Sequence, residues 1–145
     1  MQIRAATRAY LDDLAPLLDA FRVAHGRVSD PLRARRFVDA RLARGDCALV
    51  ACRHRQALGF ALLARSASSL DATVAWRLDA LYVLPAARRA GVGSALLAAA
   101  MERAREEGGH RLELAAATRD LEAQRFLERS GGLRDRARVH YHYEL

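Results

Sequence analysis

Between Val74 and Ala115 the chain passes from a strand, through a glycine-bearing loop, into a helix and out to another strand. Val74 to Val83 reads as a long strand that ends at Pro85. The loop Ala86-Ala87-Arg88-Arg89-Ala90-Gly91-Val92-Gly93 follows, and a helix from about Val92 to Glu107 begins inside it. Val92, Leu96, Leu97 and Met101 share one face of that helix, Gly108-Gly109 ends it, and Leu112 to Ala115 reads as the next strand. A strand-helix-strand crossover of this kind commits the chain to a sheet with helices packed on it. The loop has chemical consequences as well. Glycines let a backbone approach a ligand closely. The first turn of a helix offers unpaired amide hydrogens and the positive end of the helix dipole. Together with Arg88 and Arg89 they form a cradle suited to a pyrophosphate.

The elements around this unit follow one another with short connections. Gln2 to Ala6 reads as a first strand, and Leu11, Leu14, Leu17, Leu18 and Phe21 recur at helical spacing. An interior proline costs a helix about 3 kcal/mol. The ordered helix is therefore expected to start near Asp12, which places Pro16 in the first turn, and to end near His25-Gly26. Asp30-Pro31 starts a second helix that stops at Gly45. Ala48 to Cys52 and Leu58 to Ala64 flank the turn His54-Arg55-Gln56 as an antiparallel hairpin, and Ser66 to Asp71 reads as a polar loop. Beyond Ala115, Asp120 caps a short helix carrying Leu121, Phe126 and Leu127, which Gly131-Gly132 ends. Val139, Tyr141, Tyr143 and Leu145 alternate as a final strand. The order β α α β β β α β α β is that of an α/β or α+β sheet with helices on both faces. A length of 145 residues fits one domain, 1–145.

Charge and composition narrow the functional classes. There are 24 basic residues, all arginine, against 17 acidic ones, for a net charge of +7. The arginines are spread along the chain and interleaved with acids, and no reading helix or nucleotide-stacking platform is recognisable. A solvated face, or an anionic small ligand, accounts for them better than a nucleic acid does. Cys47 and Cys52 fall on opposite faces of a strand, which does not suit a disulfide. His140 and His142 share a strand face but lack a third ligand, so no metal site is expected. No apolar run approaches the ~20 residues that span a bilayer, and the N-terminus lacks a signal-peptide pattern. A cytoplasmic protein without a membrane partner is the expectation.

Two generic phosphate motifs fail on spacing. A P-loop needs a lysine followed by Ser or Thr, and this chain has no lysine. A dinucleotide fingerprint needs a third glycine, whereas Gly91-Val92-Gly93 is followed by Ser94-Ala95-Leu96. Arg88-Arg89-Ala90-Gly91-Val92-Gly93 instead resembles the acyl-CoA loop of the GNAT superfamily of N-acetyltransferases. Leu81-Tyr82-Val83-Leu84-Pro85 upstream resembles the family's fourth strand and its exit. Asp120, Ala123, Phe126 and Gly131 match the offsets of its later motif. The likeness covers about residues 46–145 well, and residues 1–45 only as one strand and two helices.

The resemblance implies a mixed, mostly antiparallel sheet, splayed between its fourth and fifth strands, with helices on both faces. It implies acetyl-CoA as the cofactor. Backbone amides of Arg89, Ala90, Gly91, Val92, Gly93 and Ser94 would hold the pyrophosphate, with Arg88 leading the loop. Leu81 and Val83, with Tyr82 between them, would pair with the pantetheine arm. Asp120 stands where the family has Asn; it can cap the helix but cannot donate a side-chain N–H. Ala123 and Phe126 complete that motif, with Phe126 beside the pantetheine. The acceptor would be a primary amine of a small molecule or a protein. The oligomeric state stays open, with a homodimer as one option because the family's last strands often pair across dimers.

Acetyl transfer to an amine needs a base for the ammonium, stabilisation of the developing oxyanion and a way for the thiolate to leave. Asp79 is the candidate base, placed by strand alternation on the same face as Leu81 and Val83. Pairing of Asp79 with Arg77 or another arginine is the competing reading. Leu127 stands where many family members have an acidic Tyr, so a water, Tyr141, Tyr143 or Tyr82 would have to protonate the thiolate; Tyr141 is the chosen candidate. Trp76 either lines the acceptor site or fills the sheet face. The alternative to an enzyme is a non-catalytic acyl-CoA-binding regulatory domain, which the Leu127 substitution motivates.

Overall fold

A computed structural model of the chain, describing residues 1–145, sets β1 (Gln2–Ala6) at the outer edge of a five-stranded sheet. The strands β2 (Cys47–Arg53), β3 (Gln56–Ser68), β4 (Thr73–Val83) and β5 (Leu112–Glu113) follow in that spatial order. The first four are antiparallel to their neighbours and β5 is parallel to β4. This is the mixed, mostly antiparallel α/β architecture expected. Two units make up the chain, Met1–Leu114 and Ala115–Leu145.

In the first unit, helices cover both faces of the sheet. α1 (Leu11–Ala24) and α2 (Pro31–Ala43) bury Leu14, Leu17, Leu18, Ala34 and Val38 against Ala48, Val50, Phe60, Leu62, Ala80 and Tyr82. Each fully buried large apolar side chain there contributes about 1.5–3 kcal/mol. α3 (Val92–Glu106) buries Val92, Leu96, Leu97, Ala100 and Ala104 on the opposite face. Alternation along β3 separates the two cores, with Gly59, Ala61 and Leu63 on the α3 side and Phe60 and Leu62 on the other.

Local chemistry sets the helix ends. The Asp30 carboxylate accepts from the Arg33 N–H at 3.0 Å, Pro31 occupies the first helical position, and Gly45, at φ +89°, follows the end of α2. α1 departs from expectation. A 3-10 turn at Arg8–Tyr10, whose start Thr7 caps, feeds the helix from Leu11, so Pro16 lies beyond the first turn. Asp12 and Asp13 occupy that first turn and favour the positive end of the helix instead of capping it. β3 also runs on to Ser68, through part of the expected polar loop, because it stays paired with β4 as far as Thr73.

The second unit contains α4 (Leu121–Arg129), capped by Asp120, whose carboxylate accepts from the Ala123 N–H at 3.0 Å. The expected last strand does not form: residues 133–145 carry no strand, and Val139, Tyr141, Tyr143 and Leu145 are exposed. Alternation identifies a face that could be buried, but a strand also requires a neighbour's hydrogen-bond ladder, and none runs beside this segment.

Candidate active site

The loop from β4 into α3 has the geometry of an anion cradle. After β4 a 3-10 turn at Pro85–Ala87 leads to Arg88 in extended conformation, Arg89 at φ +61° and Gly91 at φ +77°. A positive φ is strained for arginine, and strain of this kind persists where the surroundings enforce it. No side chain caps α3 and no acid lies in its first turn. Residues 88–91 form a turn, and Ala95 N–H closes on Gly91 O at 3.0 Å, so the amides of the first turn of α3 lack the i−4 partners that a helix interior supplies. Uncapped donors at the positive end of a fifteen-residue helix suit a diphosphate. Arg88 itself folds back: its Nε donates to the Val83 carbonyl at 3.0 Å and its guanidinium lies 5.6 Å over the Tyr82 ring.

β4 and β5 are paired only over a short stretch. Their pairing covers only Trp76 with Leu112 and Arg77 with Glu113. From Leu78 to Val83 the β5-side edge of β4 has no strand beside it, which is the splay anticipated above. Leu81 and Val83 are half-buried on the α3 side, and Tyr82 is buried on the α1 side. Gly59 backs this segment closely. A Cβ there would stand 2.5 Å from the Tyr82 carbonyl oxygen and 3.1 Å from the Val83 Cα.

Asp79 does not share the face of Leu81 and Val83. Leu62 pairs with Ala80 and Leu63 with Leu78, so Asp79 is the extra residue of a bulge, with no cross-strand partner. The bulge breaks the alternation and turns Asp79 towards α2. There its Oδ2 accepts from Arg41 Nη1 at 2.7 Å, so the arginine partner is Arg41 rather than Arg77. Arg41 is buried and also donates from Nε to Asp46. Sequence reading missed Arg41. Its signal was a charge on the stripe Ala34, Val38, Arg41 that faces the core.

The α1–α2 connection is held by Asp19. Its carboxylate accepts from the Ser29 hydroxyl at 2.5 Å, the Asp30 N–H at 2.8 Å and Arg22 Nη1 at 3.3 Å. The Ser29 and Asp30 hydrogen bonds, aided by Arg22, hold its carboxyl below the usual carboxylate range against the opposing effect of burial. Trp76 is buried and packs against Gly109, so it fills the sheet face and does not line a pocket. Two surface grooves of about 290 and 520 Å³ flank the β2–β3 turn, and neither is lined by Asp79 or by residues 88–94. Cys47 and Cys52 are unbridged, and burial raises the Cys47 thiol pKa. No cluster of side chains fits a metal ion, and no helix is long and apolar enough to cross a membrane.

In the second unit, Asp120 acts as a cap through its acceptor oxygen, the role its chemistry permits. Ala123 and Phe126 are half-buried on α4, as is Leu127. Tyr141 is 84% exposed.

Residues 12–132 match the sequence profile described as the acetyltransferase (GNAT) family. The chain is 32% identical over 142 residues to an uncharacterized N-acetyltransferase, YhfO, of Bacillus subtilis (strain 168), covering 97% of this chain and 95% of that one. Among solved structures, one described as a probable acetyltransferase superposes with a TM-score of 0.91 at 33% identity, covering 100% of this chain and 98% of the other. An aminoglycoside acetyltransferase from an uncultured soil metagenomic sample superposes with a TM-score of 0.86 at 17% identity, over 99% of this chain and 95% of its own. That last likeness is one of fold.

Proposed function

This chain belongs to the acetyltransferase (GNAT) family, and on that premise we propose that it transfers the acetyl group of acetyl-CoA to a primary amine by direct attack in a ternary complex. The observation that carries the reading is the uncapped start of α3, with no acid in its first turn, at the end of the glycine-bearing loop that leaves β4. The amide donors there, with Arg89, would bind the diphosphate of the coenzyme. The open edge of β4 would supply main-chain groups of Leu81 and the Val83 N–H for the pantetheine arm, while the Val83 carbonyl is taken by Arg88 Nε, whose guanidinium lies over Tyr82. Asp120, Ala123 and Phe126 are the further cofactor-side residues that the family motif names. Bound there, acetyl-CoA would supply an activated thioester whose C–S bond breaks as the amine forms the new C–N bond.

The residues of the chain have to handle protons and orientation. Asp79, 40% exposed and with only Oδ2 taken by Arg41, has Oδ1 left to accept a proton from the acceptor ammonium, directly or through a water. Main-chain N–H groups on the open edge of β4 are the donors available to the carbonyl oxygen. Tyr141 is the candidate donor to the departing thiolate. The acceptor class is an amine of a small molecule or a protein, and a reducing cytoplasm suits the two free thiols.

Calorimetry with acetyl-CoA, followed by thiol release across a panel of alkyl diamines, amino sugars and peptide amino termini, tests the reading. Saturable binding with amine-dependent thiol release is expected, and no binding would refute it. The second reading, a non-catalytic acyl-CoA-binding domain, is favoured by Leu127 in the acid position and by the exposure of Tyr141. It predicts binding without thiol release for every amine.

A further inference from the structure

Asp79 protrudes from a bulge, so neither the pleat nor a cross-strand neighbour fixes where its carboxylate points. What fixes it is Arg41, thirty-eight residues earlier in the chain. We propose that Arg41 is a positioning residue for acetyl transfer: anchored in the protein, its guanidinium holds one oxygen of Asp79 and so presents the other to the acceptor amine. The inference rests on the reading of Asp79 as the base.

Arg41 is held from several sides. Its Nε donates to Asp46, which also accepts from Arg44 Nε at 2.7 Å. Its guanidinium carbon lies 5.3 Å from the centre of the Phe37 ring. Its side chain is 8% exposed and that of Asp46 10%, against 40% for Asp79. A rigid, desolvated cation therefore reaches out to a carboxylate that is itself open to solvent. The flat guanidinium fork engages both acids from one fixed plane, which an ammonium could not do.

This arrangement is poorly explained by stability alone. Arg41 Nη2 is buried with no partner, and buried ion pairs are commonly no more stabilising than apolar residues of the same size. Placed at a core-facing position of α2, an apolar residue would serve packing better. What Arg41 adds is direction for Asp79, and through Asp46 it ties that direction to the C-terminal end of α2.

The test measures turnover with acetyl-CoA and the fastest amine of the panel, in the full chain, for Arg41→Gln, Arg41→Lys, Asp79→Asn and the double variant Arg41→Gln/Asp79→Asn. Misplacing a catalytic group by about 1 Å can cost on the order of a hundredfold. Arg41→Gln and Arg41→Lys are expected to lower kcat by about 10- to 100-fold while the KM for acetyl-CoA stays within about twofold. In the Asp79→Asn background, Arg41→Gln is expected to change kcat by less than about threefold, because Arg41 acts through Asp79. Should Arg41→Gln fail to fold, Arg41→Lys with its retained charge carries the same comparison. Impaired Asp79→Asn beside unimpaired, folded Arg41 variants overturns the positioning role alone. An equal loss from Arg41→Gln in both backgrounds reduces it to a structural residue and also overturns the proposal. Wild-type turnover in Asp79→Asn overturns the reading of Asp79 as the base, and this inference with it.

Discussion

Gly91 allows the anion cradle to be tested separately from the stability of the loop. It sits at φ +77°, where an L side chain is strained, yet a Cβ built on it meets nothing within 4 Å. Gly91→Ala therefore introduces no clash, only the left-handed penalty of about 1–2 kcal/mol. Gly45 offers a matched control, because its φ is +89° and its Cβ would also meet nothing within 4 Å, but it closes α2 away from the loop. For a chain of this size about 1 kcal/mol shifts Tm by roughly 3–4 °C, so both variants are expected to melt about 3–8 °C lower. They should differ in cofactor binding. In Gly91→Ala the new methyl stands over the uncapped start of α3 and disturbs one or two charge-assisted hydrogen bonds, each worth about 1.5–3 kcal/mol. The Kd for acetyl-CoA by calorimetry should then rise about 10-fold or more in Gly91→Ala and stay within about twofold in Gly45→Ala. Equal affinities in the two variants would refute the claim that these amides hold the coenzyme.

Gly109→Ala would place a Cβ 2.3 Å from Trp76 Cδ1 and 2.8 Å from the Ala104 carbonyl oxygen. A loss of about 1–3 kcal/mol in urea unfolding is expected. Gly59→Ala forces the Tyr82 carbonyl away from β3, so it should lose stability and also weaken acetyl-CoA binding, a pairing that Gly109→Ala should not show. Asp19 has a folded pKa below its unfolded value of about 3.9. Its contribution is complete above that value and is lost as pH falls from about 4 through the lowered folded pKa. The wild type should accordingly lose stability on acidification more steeply than Asp19→Asn, with the two converging at low pH in urea titrations. Tyr141→Phe should lower kcat by about 100-fold if the hydroxyl protonates the thiolate; unchanged turnover would assign that proton to water.

Features carried by neighbouring residues were legible in the sequence. Asp30-Pro31 marks the start of α2 and Gly45 its end, and the acid at position 120 caps α4 as its chemistry requires. The β4–α3 loop belongs to the same class, since two glycines, a positive-φ arginine and an uncapped helix start all fall within one short stretch. Features that depend on a partner elsewhere in the chain were not legible. Alternation predicted a strand over 139–145, but the ladder it would need is missing. The polar composition of 66–68 suggested a loop, while pairing with β4 made it strand.

Asp79 shows why this matters for chemistry. Its residue type and its place on β4 could be read from sequence, but its orientation depends on a register shift between β3 and β4 and on a cation from α2. Counting residues along β4 puts Asp79 with Leu81; the bulge puts it with Arg41. A pyrophosphate can be held by consecutive amides, so a local motif is enough to propose such a site. A base must be aimed at a proton within about 3 Å, and under the proposed role of Asp79 that aim would be set by a side chain thirty-eight residues away. It follows that substitutions on α2, remote in sequence from the loop, should change turnover, whereas those at the loop glycines should change cofactor affinity.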